Sequence, residues 1–366
     1  MNTNMKIRVL GILLCGAVVT ALPSCEPIDD DLDDCEVDFQ AKYRVCLVTN
    51  ENLEIARVLD KHTAIGDDLR EHLKDVFNDY GHDIALDYYA LPDSLRTMPV
   101  RGSLPTEMNA TERSYEIFMP IKDYMHLAVT NVQGNGAVSQ SNTDRCHRAQ
   151  LSLSPQPPVQ PNSLDEALPS QKAGLFTGRR LLTGLTYGPQ QYDMPLYMAN
   201  SAAAIVIDPR YPRKNSFTDI RIYTLGFAKD FNVCDSAYTY PENDYYVRAD
   251  QVTLHNTDWL AYCAVSFPSR EPIYSTTRSR VEIDEPVFRY DDCGKSVWYY
   301  DCYVTMASGT VTRTIAGVHH PLRAGQLKIL VGWVDDDKEP GVIHFKDEEL
   351  SVSSDLDWSE GLIFTN

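Results

Sequence analysis

Val37-Asp38-Phe39-Gln40-Ala41-Lys42-Tyr43-Arg44-Val45-Cys46-Leu47 alternates strictly over eleven residues. Val37, Phe39, Ala41, Tyr43, Val45 and Leu47 are apolar, and Asp38, Gln40, Lys42, Arg44 and Cys46 fall between them. Side chains along a strand point alternately to opposite faces, so this period of two predicts a strand with one face toward a core. The same rule predicts strands at Ile84–Tyr89, at Tyr115–Met119 with a stop at Pro120, and at Tyr124–Asn131. Further along, Leu175–Thr183, Ala202–Asp208, Asp219–Tyr223, Val281–Asp284, Val342–Phe345 and Gly361–Thr365 read as strands, and Leu327, Ile329, Val331 and Trp333 form an expected inward row. Short strands joined by Pro, Gly and Asp turns predict an all-β chain built as two sandwiches in tandem.

One segment departs from this pattern. Ile65, Leu69, Leu73, Val76, Phe77 and Tyr80 recur at helical spacing. Asp67 and Asp68 are expected in the first turn, where the helix dipole favours acids, and Gly81 is expected as the stop. The helix is expected in the first domain, as a crossover covering an edge or end of its sandwich. Pro-rich residues 151–173 predict a long loop. Gly184–Asp193, with Gly188-Pro189, predicts the boundary between domains at 36–187 and 188–366.

The N-terminus carries a different signal. Lys6 and Arg8 precede the uncharged run Val9–Leu22, which is short for a membrane span of roughly 20 residues and suits a signal peptide over 1–24. Leu22-Pro23-Ser24-Cys25 reads as a lipobox, resembling that of bacterial lipoproteins, with Cys25 as the lipidated residue. Cys15 is the weaker rival, because Leu14 before it is not small. An ordinary secretory cut near Ser24 would leave Cys25 free. Residues 25–35 form an acidic tether, with Asp29, Asp30, Asp31, Asp33 and Asp34 too close in charge to pack. That stretch resembles the surface-export signal of Bacteroidetes lipoproteins.

The 366 residues hold 33 Lys+Arg and 52 Asp+Glu, a net charge of −19. Loss of Lys6 and Arg8 with the signal peptide leaves 31 basic against 52 acidic residues, a net −21. An acidic balance of this size argues against a nucleic-acid partner, whose binders carry a basic footprint. The 43% of hydrophobic residues is enough for packed cores. Of nine Cys, Cys35, Cys46, Cys146, Cys234, Cys263, Cys293 and Cys302 remain in the body, and no CxxC pair occurs among them. Cys293 and Cys302 flank an expected turn at Gly294 and are the candidate disulfide; small buried hydrophobes are the plain alternative.

Catalytic signatures are missing from the sequence: no GxSxG, HExxH, P-loop or complete GxGxxG occurs. Gly134-Asn135-Gly136 reads as a turn. Asp335–Gly341 lacks the alternating acids of a calcium loop and reads as a hairpin tip. His319-His320 reads as loop. Tyr238, Tyr240, Tyr299 and Tyr300 offer either sugar-stacking rings or ordinary sheet positions. Neither an enzyme activity, a metal nor a cofactor is expected.

The lipobox Cys25, the strand Val37–Leu47, Ala202–Ile207, Leu225–Phe231 with Asp235-Ser236, and Leu356-Asp357-Trp358 before Gly361 together resemble the Bacteroidetes fimbrillin superfamily, in its branch of lipoproteins that anchor fimbriae. The resemblance implies two tandem transthyretin-like Greek-key β-sandwich domains, held in the outer membrane by lipid on Cys25 and exposed at the cell surface. It implies fimbrial subunits as protein partners, a role in attaching the fimbrium and limiting its length, and strand donation as the coupling mechanism. Leu362, Ile363, Phe364 and Thr365 are the candidate donor strand, or else the fixed last strand of the second domain. Arg179-Arg180 is a candidate processing site, or else a pair of strand residues. The alternative function is a surface lipoprotein that binds or hydrolyses a host glycan or peptide.

Overall fold

The run Ser201-Ala202-Ala203-Ala204-Ile205-Val206-Ile207-Asp208 holds no polar residue between its ends, and every position in it is buried. A strand of this kind must be covered on both faces. In the computed structural model it lies at the centre of a five-stranded sheet, in the order Asp250–Val252, Leu260–Ser266, Ser201–Asp208, Leu327–Asp335 and Val342–Phe345. It runs antiparallel to Leu260–Ser266 and parallel to Leu327–Asp335. The structure describes residues 40–49, 63–77, 84–90, 100–102, 114–120, 124–143, 148–154, 157, 164–182, 190–208, 217–271, 297–335, 339–346 and 350–355.

Ala203, Ile205 and Ile207 join the main core with Leu330, Val334 and Ile343. Across that core lies a six-stranded sheet, ordered Leu350–Asp355, Val311–Val318, Trp298–Met306, Phe217–Leu225, Val247–Arg248 and Leu168–Pro169. It contributes Ile220, Ile222, Val247, Trp298, Tyr300, Cys302, Val304 and Ala316. On the opposite face, Ala202, Ala204 and Val206 meet Leu69, Leu73 and Val76. The helix is thus present, as Thr63–His72 and Lys74–Phe77. It differs from expectation in two respects. It covers a sheet built entirely from residues 201–345, and it starts at Thr63, so Asp67 and Asp68 lie beyond its first turn. Asp68 instead accepts a 2.6 Å hydrogen bond from the backbone N–H of His255 and faces the His255 ring at 2.8 Å. The His255 amide holds the Asp68 carboxyl below its usual range.

The remaining strands form a seven-stranded and a four-stranded sheet. The seven-stranded one runs Val100–Gly102, Ile84–Ala90, Tyr124–Thr130, Phe176–Leu182, Gln190–Met198, Gln40–Thr49 and Ser114–Pro120. The described part of the long first strand, Gln40–Thr49, pairs parallel to Gln190–Met198. Gly178 lets Phe176–Leu182 approach its neighbour: a Cβ there would stand 2.5 Å from the Pro195 carbonyl oxygen. The four-stranded sheet joins two hairpins from distant parts of the chain. Val138–Thr143 and Arg148–Leu153 make one, and Asp230–Asn232 and Ala237–Thr239 make the other. They meet through Asp230 against Ser152, Phe231 against Leu151 and Asn232 against Gln150. Leu151–Leu153, expected as loop, is therefore strand, because Leu151 and Leu153 are core residues in a hairpin.

Elements thus pass between the two sequence halves in both directions. The helix and Leu168–Pro169 are given by the first half, and the hairpin Asp230–Thr239 by the second. The main core runs without a break from Leu127 to Ile343. The chain changes from the seven-stranded to the five-stranded sheet across Ala199-Asn200. The inward row expected at Leu327, Ile329, Val331 and Trp333 is also altered. Leu330 and Val334 face the main core, while Leu327 and Ile329 lie toward the helix, since this sheet is covered on both faces.

The crossing is held by side-chain amides. Asn200, fully buried, donates through Nδ2 to Gln171 Oε1 and to the Ala173 carbonyl, each at 3.0 Å, and accepts from the Leu175 N–H at 3.4 Å. Asn131 donates to the Gly174 carbonyl at 2.9 Å. Asn135 accepts from the Lys172 N–H at 3.2 Å and donates to the Ala173 carbonyl at 3.3 Å. Gln171 N–H reaches the Val265 carbonyl at 2.9 Å, and Ser170 Oγ accepts from the Val265 N–H at 2.9 Å. Asn200→Leu removes these bonds and leaves the buried Leu175 N–H and Gln171 Oε1 unmet, each costing about 1–3 kcal/mol. The expected loss is about 3 kcal/mol, read as a lower urea midpoint at unchanged slope. A midpoint equal to that of the parent would contradict this role.

In the seven-stranded sheet, His126 is 0% exposed, and burial pushes its imidazole down to about 3. The folded chain keeps it neutral, while the unfolded chain takes up a proton near the ordinary value of roughly 6.5. Its contribution is therefore complete above that value and is lost as pH falls from there toward 3. Between pH 7 and pH 5 this one group is expected to remove about 2 kcal/mol of unfolding free energy. Unfolding measured at both values should show a shallower pH slope in His126→Gln than in the parent, and an unchanged slope would contradict the assignment.

Candidate protein-binding site

The residues expected to carry function fall mostly outside the described part. Cys25, Cys293 and Leu362–Thr365 all lie there, as do Gly81 and Val281–Asp284. Cys302 is described. It sits on Trp298–Met306 opposite Thr314, fully buried with a free thiol, and burial raises that thiol well above its ordinary range. Arg179-Arg180 lies in a central strand with neighbours on both sides, Tyr124–Thr130 and Gln190–Met198. Arg179 donates to the Cys234 carbonyl at 2.6 Å and Arg180 to that of Asp193. A protease must draw its substrate out as an extended strand, and here that means opening the sheet.

The tyrosines are structural. Tyr299 and Tyr300 are 4% and 0% exposed. Tyr238 packs between Phe231 and Phe267 with tilted rings at 4.5 and 6.1 Å and donates to the Ala199 carbonyl at 2.8 Å. Tyr240 donates to the Ser269 carbonyl at 2.9 Å, and burial pushes its phenol up to about 12. Tyr299 and Tyr300, both buried, present no ring to a sugar. Asn135 sits in a turn, with Gly134 at φ 79°. Leu327–Asp335 and Val342–Phe345, on either side of the acidic run, pair antiparallel, while residues 336–338 lie outside the described part. His319-His320 lies in a loop, where the His320 carbonyl accepts from the Trp298 indole at 2.8 Å. Among the described residues, no three His, Cys, Asp or Glu side chains gather as a metal site requires, and no helix is long and apolar enough to cross a membrane.

Sequence reasoning missed the buried charges, because their partners are far apart in the chain. Arg313 grips Asp301 with two bonds, Nε to Oδ1 at 2.9 Å and a terminal nitrogen to Oδ2 at 2.8 Å. Tyr303 adds a hydroxyl bond to Asp301 at 3.1 Å and lies 5.7 Å beneath the guanidinium. Arg270 pairs with Asp244 at 3.0 Å. The two-bond Asp301–Arg313 pair fixes geometry, and its charges already face each other. Residues 301 and 313 face each other diagonally across a strand pair, a relation that only the register supplies.

One feature with open binding capacity among the described residues lies at one side of the C-terminal sandwich. Phe217–Leu225 pairs along its length with Trp298–Met306, but on its other side, among the described residues, Tyr223 and Thr224 pair with Val247–Arg248 and the Ile222 carbonyl accepts from the Ala249 N–H at 2.9 Å. The chain then steps through Ala249 into Asp250–Val252, the edge strand of the facing sheet. Between the two edges is a cleft of about 460 Å³, lined by Ile220, Arg221, Tyr223, Arg248, Gln251 and Tyr262 among others. Its apolar floor is closed, since Ile220, Ile222 and Tyr262 are at most 7% exposed. Burial pushes the Tyr262 phenol up to about 12. Arg221 and Arg248 stand exposed at its rim.

No protein-family profile matches the chain, and no curated protein matches it. Solved structures do resemble it. They include fimbrial and adhesin-type proteins. The fimbrial anchor protein Mfa2 of Porphyromonas gingivalis has 7% identity and a TM-score of 0.43, over 86% of this chain and 97% of that one. A provisionally assigned adhesin of Bacteroides ovatus has 11% identity and a TM-score of 0.46, over 94% and 100%. The tip fimbrial protein Mfa3 of Porphyromonas gingivalis has 10% identity and a TM-score of 0.35, over 87% and 100%. These are the kinds of protein named by the sequence resemblance. At such scores they add no argument about activity.

Proposed function

We propose that the chain is a lipid-anchored surface protein that ties a fimbrium to the outer membrane and meets fimbrial subunits through strand-edge contact. The observation that carries this reading is the lipobox Leu22–Cys25 with its acidic tether, placed ahead of an all-β body. Each buried CH₂ of a lipid chain contributes roughly 0.8 kcal/mol, so a multiply acylated Cys25 would hold the body without a spanning helix. The segments 1–24, 25–35, 36–187 and 188–366 keep their proposed roles as signal, tether and two sandwich halves. Exchange of elements between those halves favours a coupler: pulling on one half loads strands and core shared with the other.

Strand donation by Leu362–Thr365 stays the proposed coupling mechanism, in which backbone bonds give register and side chains give affinity. The pairing of Cys293 with Cys302 is likewise a proposal, and it would have to form at a fully buried sulfur.

Mass spectrometry of protein extracted from membranes is expected to show an N-terminal peptide beginning at an acylated Cys25. Cys25→Ala is expected to move the protein to the soluble fraction and to free fimbrial subunits from the membrane pellet. An unmodified Cys25, or retention of the Ala variant with fimbriae still attached, would contradict the proposal. Binding to a glycan array with no fimbrial partner would favour the alternative of a surface glycan binder.

A further inference from the structure

We infer that the cleft between Phe217–Leu225 and Asp250–Val252 binds an extended peptide segment bearing carboxylates, with Arg248 as the principal contact and Arg221 as the second.

The charges at the rim decide the sign of the ligand. Arg221 Nε stands 3.4 Å from Asp219, and Asp250 is engaged by Lys172. Arg248 has no ion pair or side-chain hydrogen bond among the described residues, although the chain carries 52 acidic residues against 33 basic ones. An exposed guanidinium left unpaired in so acidic a protein is a free fork for a carboxylate. The register places Arg248 directly opposite Tyr223, two residues along the same strand from Arg221, so both guanidiniums lie on one face.

The backbone decides the shape. Phe217–Arg221 has a paired neighbour on one side only among the described residues, and Asp250–Val252 is the last strand of its sheet. An extended chain can bond to such edges, and its alternate side chains would then reach the apolar lining and the arginines in turn. A sugar fits less well, because Tyr223 and Tyr262 are 3% and 7% exposed and present no open ring. The cleft is also not a gap awaiting a core strand, since Ile220 and Ile222 are already buried. The inference therefore concerns a surface contact, distinct from core-completing strand donation. It rests on the reading of the chain as a binder of protein partners.

Full-length protein in detergent is titrated into a fluorescein-labelled octapeptide alternating valine and aspartate, and binding is read by anisotropy. Binding is expected to weaken with added salt. The valine–asparagine analogue and the Arg248→Gln variant are each expected to bind about tenfold more weakly. Arg248→Lys should recover only part of the loss, because an ammonium lacks the planar fork. Asp219→Asn, which releases Arg221, is expected to tighten binding. Equal binding of the two peptides, an Arg248→Gln affinity equal to the parent's, or competition by polygalacturonate but not by unlabelled peptide would each overturn the inference. The assay contains no fimbriae and no membrane, so its failure leaves the lipid anchor standing, and failure of the anchor leaves this result standing.

Discussion

The buried carboxamide of Asn200 is the point on which the arrangement depends. It sits where the chain leaves the seven-stranded sheet and enters the five-stranded one, and it bonds to three places in the segment 171–175. That segment enters from the six-stranded sheet at Leu168–Pro169 and leaves into the seven-stranded sheet at Phe176. Gln171, Gly174 and Leu175 of this crossing segment are buried, so their backbone groups need fixed partners. Asn131, Asn135, Asn200 and the Val265 carbonyl supply them. Apolar side chains in these places would pack but would not choose one register, whereas an amide with its donors and acceptor all used accepts a single geometry.

The exchange of elements follows from the same geometry. With Leu151 and Phe231 locked side by side, the two hairpins make one sheet over a core that continues into the C-terminal sandwich. The helix Thr63–His72 closes the far face of the five-stranded sheet, where Ala202, Ala204 and Val206 would otherwise meet water. Small alanines at these positions suit a helix lying close against the sheet. Gly226 shows the same economy of space: with φ at 92°, it lets the chain turn where a Cβ would stand 2.8 Å from Trp298 Cα. The body that results is held together by buried hydrogen bonds, aromatic packing and the Asp301–Arg313 pair.

Much of the strand content was legible in the sequence, since period-two alternation is a local property. Gln40–Thr49, Ile84–Ala90, Ser114–Pro120, Tyr124–Thr130 and Ser201–Asp208 stand where alternation or a continuous apolar run placed them. Helical spacing at Leu69, Leu73 and Val76 found the helix, but amphipathicity says only that one face is covered and not by what. The row at Leu327–Trp333 misled because a sheet covered on both sides has no single inward face. The Pro-rich count hid the strand Arg148–Leu153, whose prolines begin only at Pro155. The cleft was invisible, because Arg221 and Arg248 become neighbours only through the register of two strands. Strand edges and free guanidiniums carry no sequence motif.

Equilibrium unfolding of the mature chain in urea, followed together by tryptophan fluorescence and far-ultraviolet circular dichroism, tests the shared core most directly. Trp298 reports the C-terminal sandwich, while the circular dichroism signal sums the strands of both halves. A body in which the halves exchange a helix, a strand and a hairpin should unfold in one transition, with the two signals coincident. Two separated transitions would show that the halves fold on their own, and would contradict a common core held at Asn200.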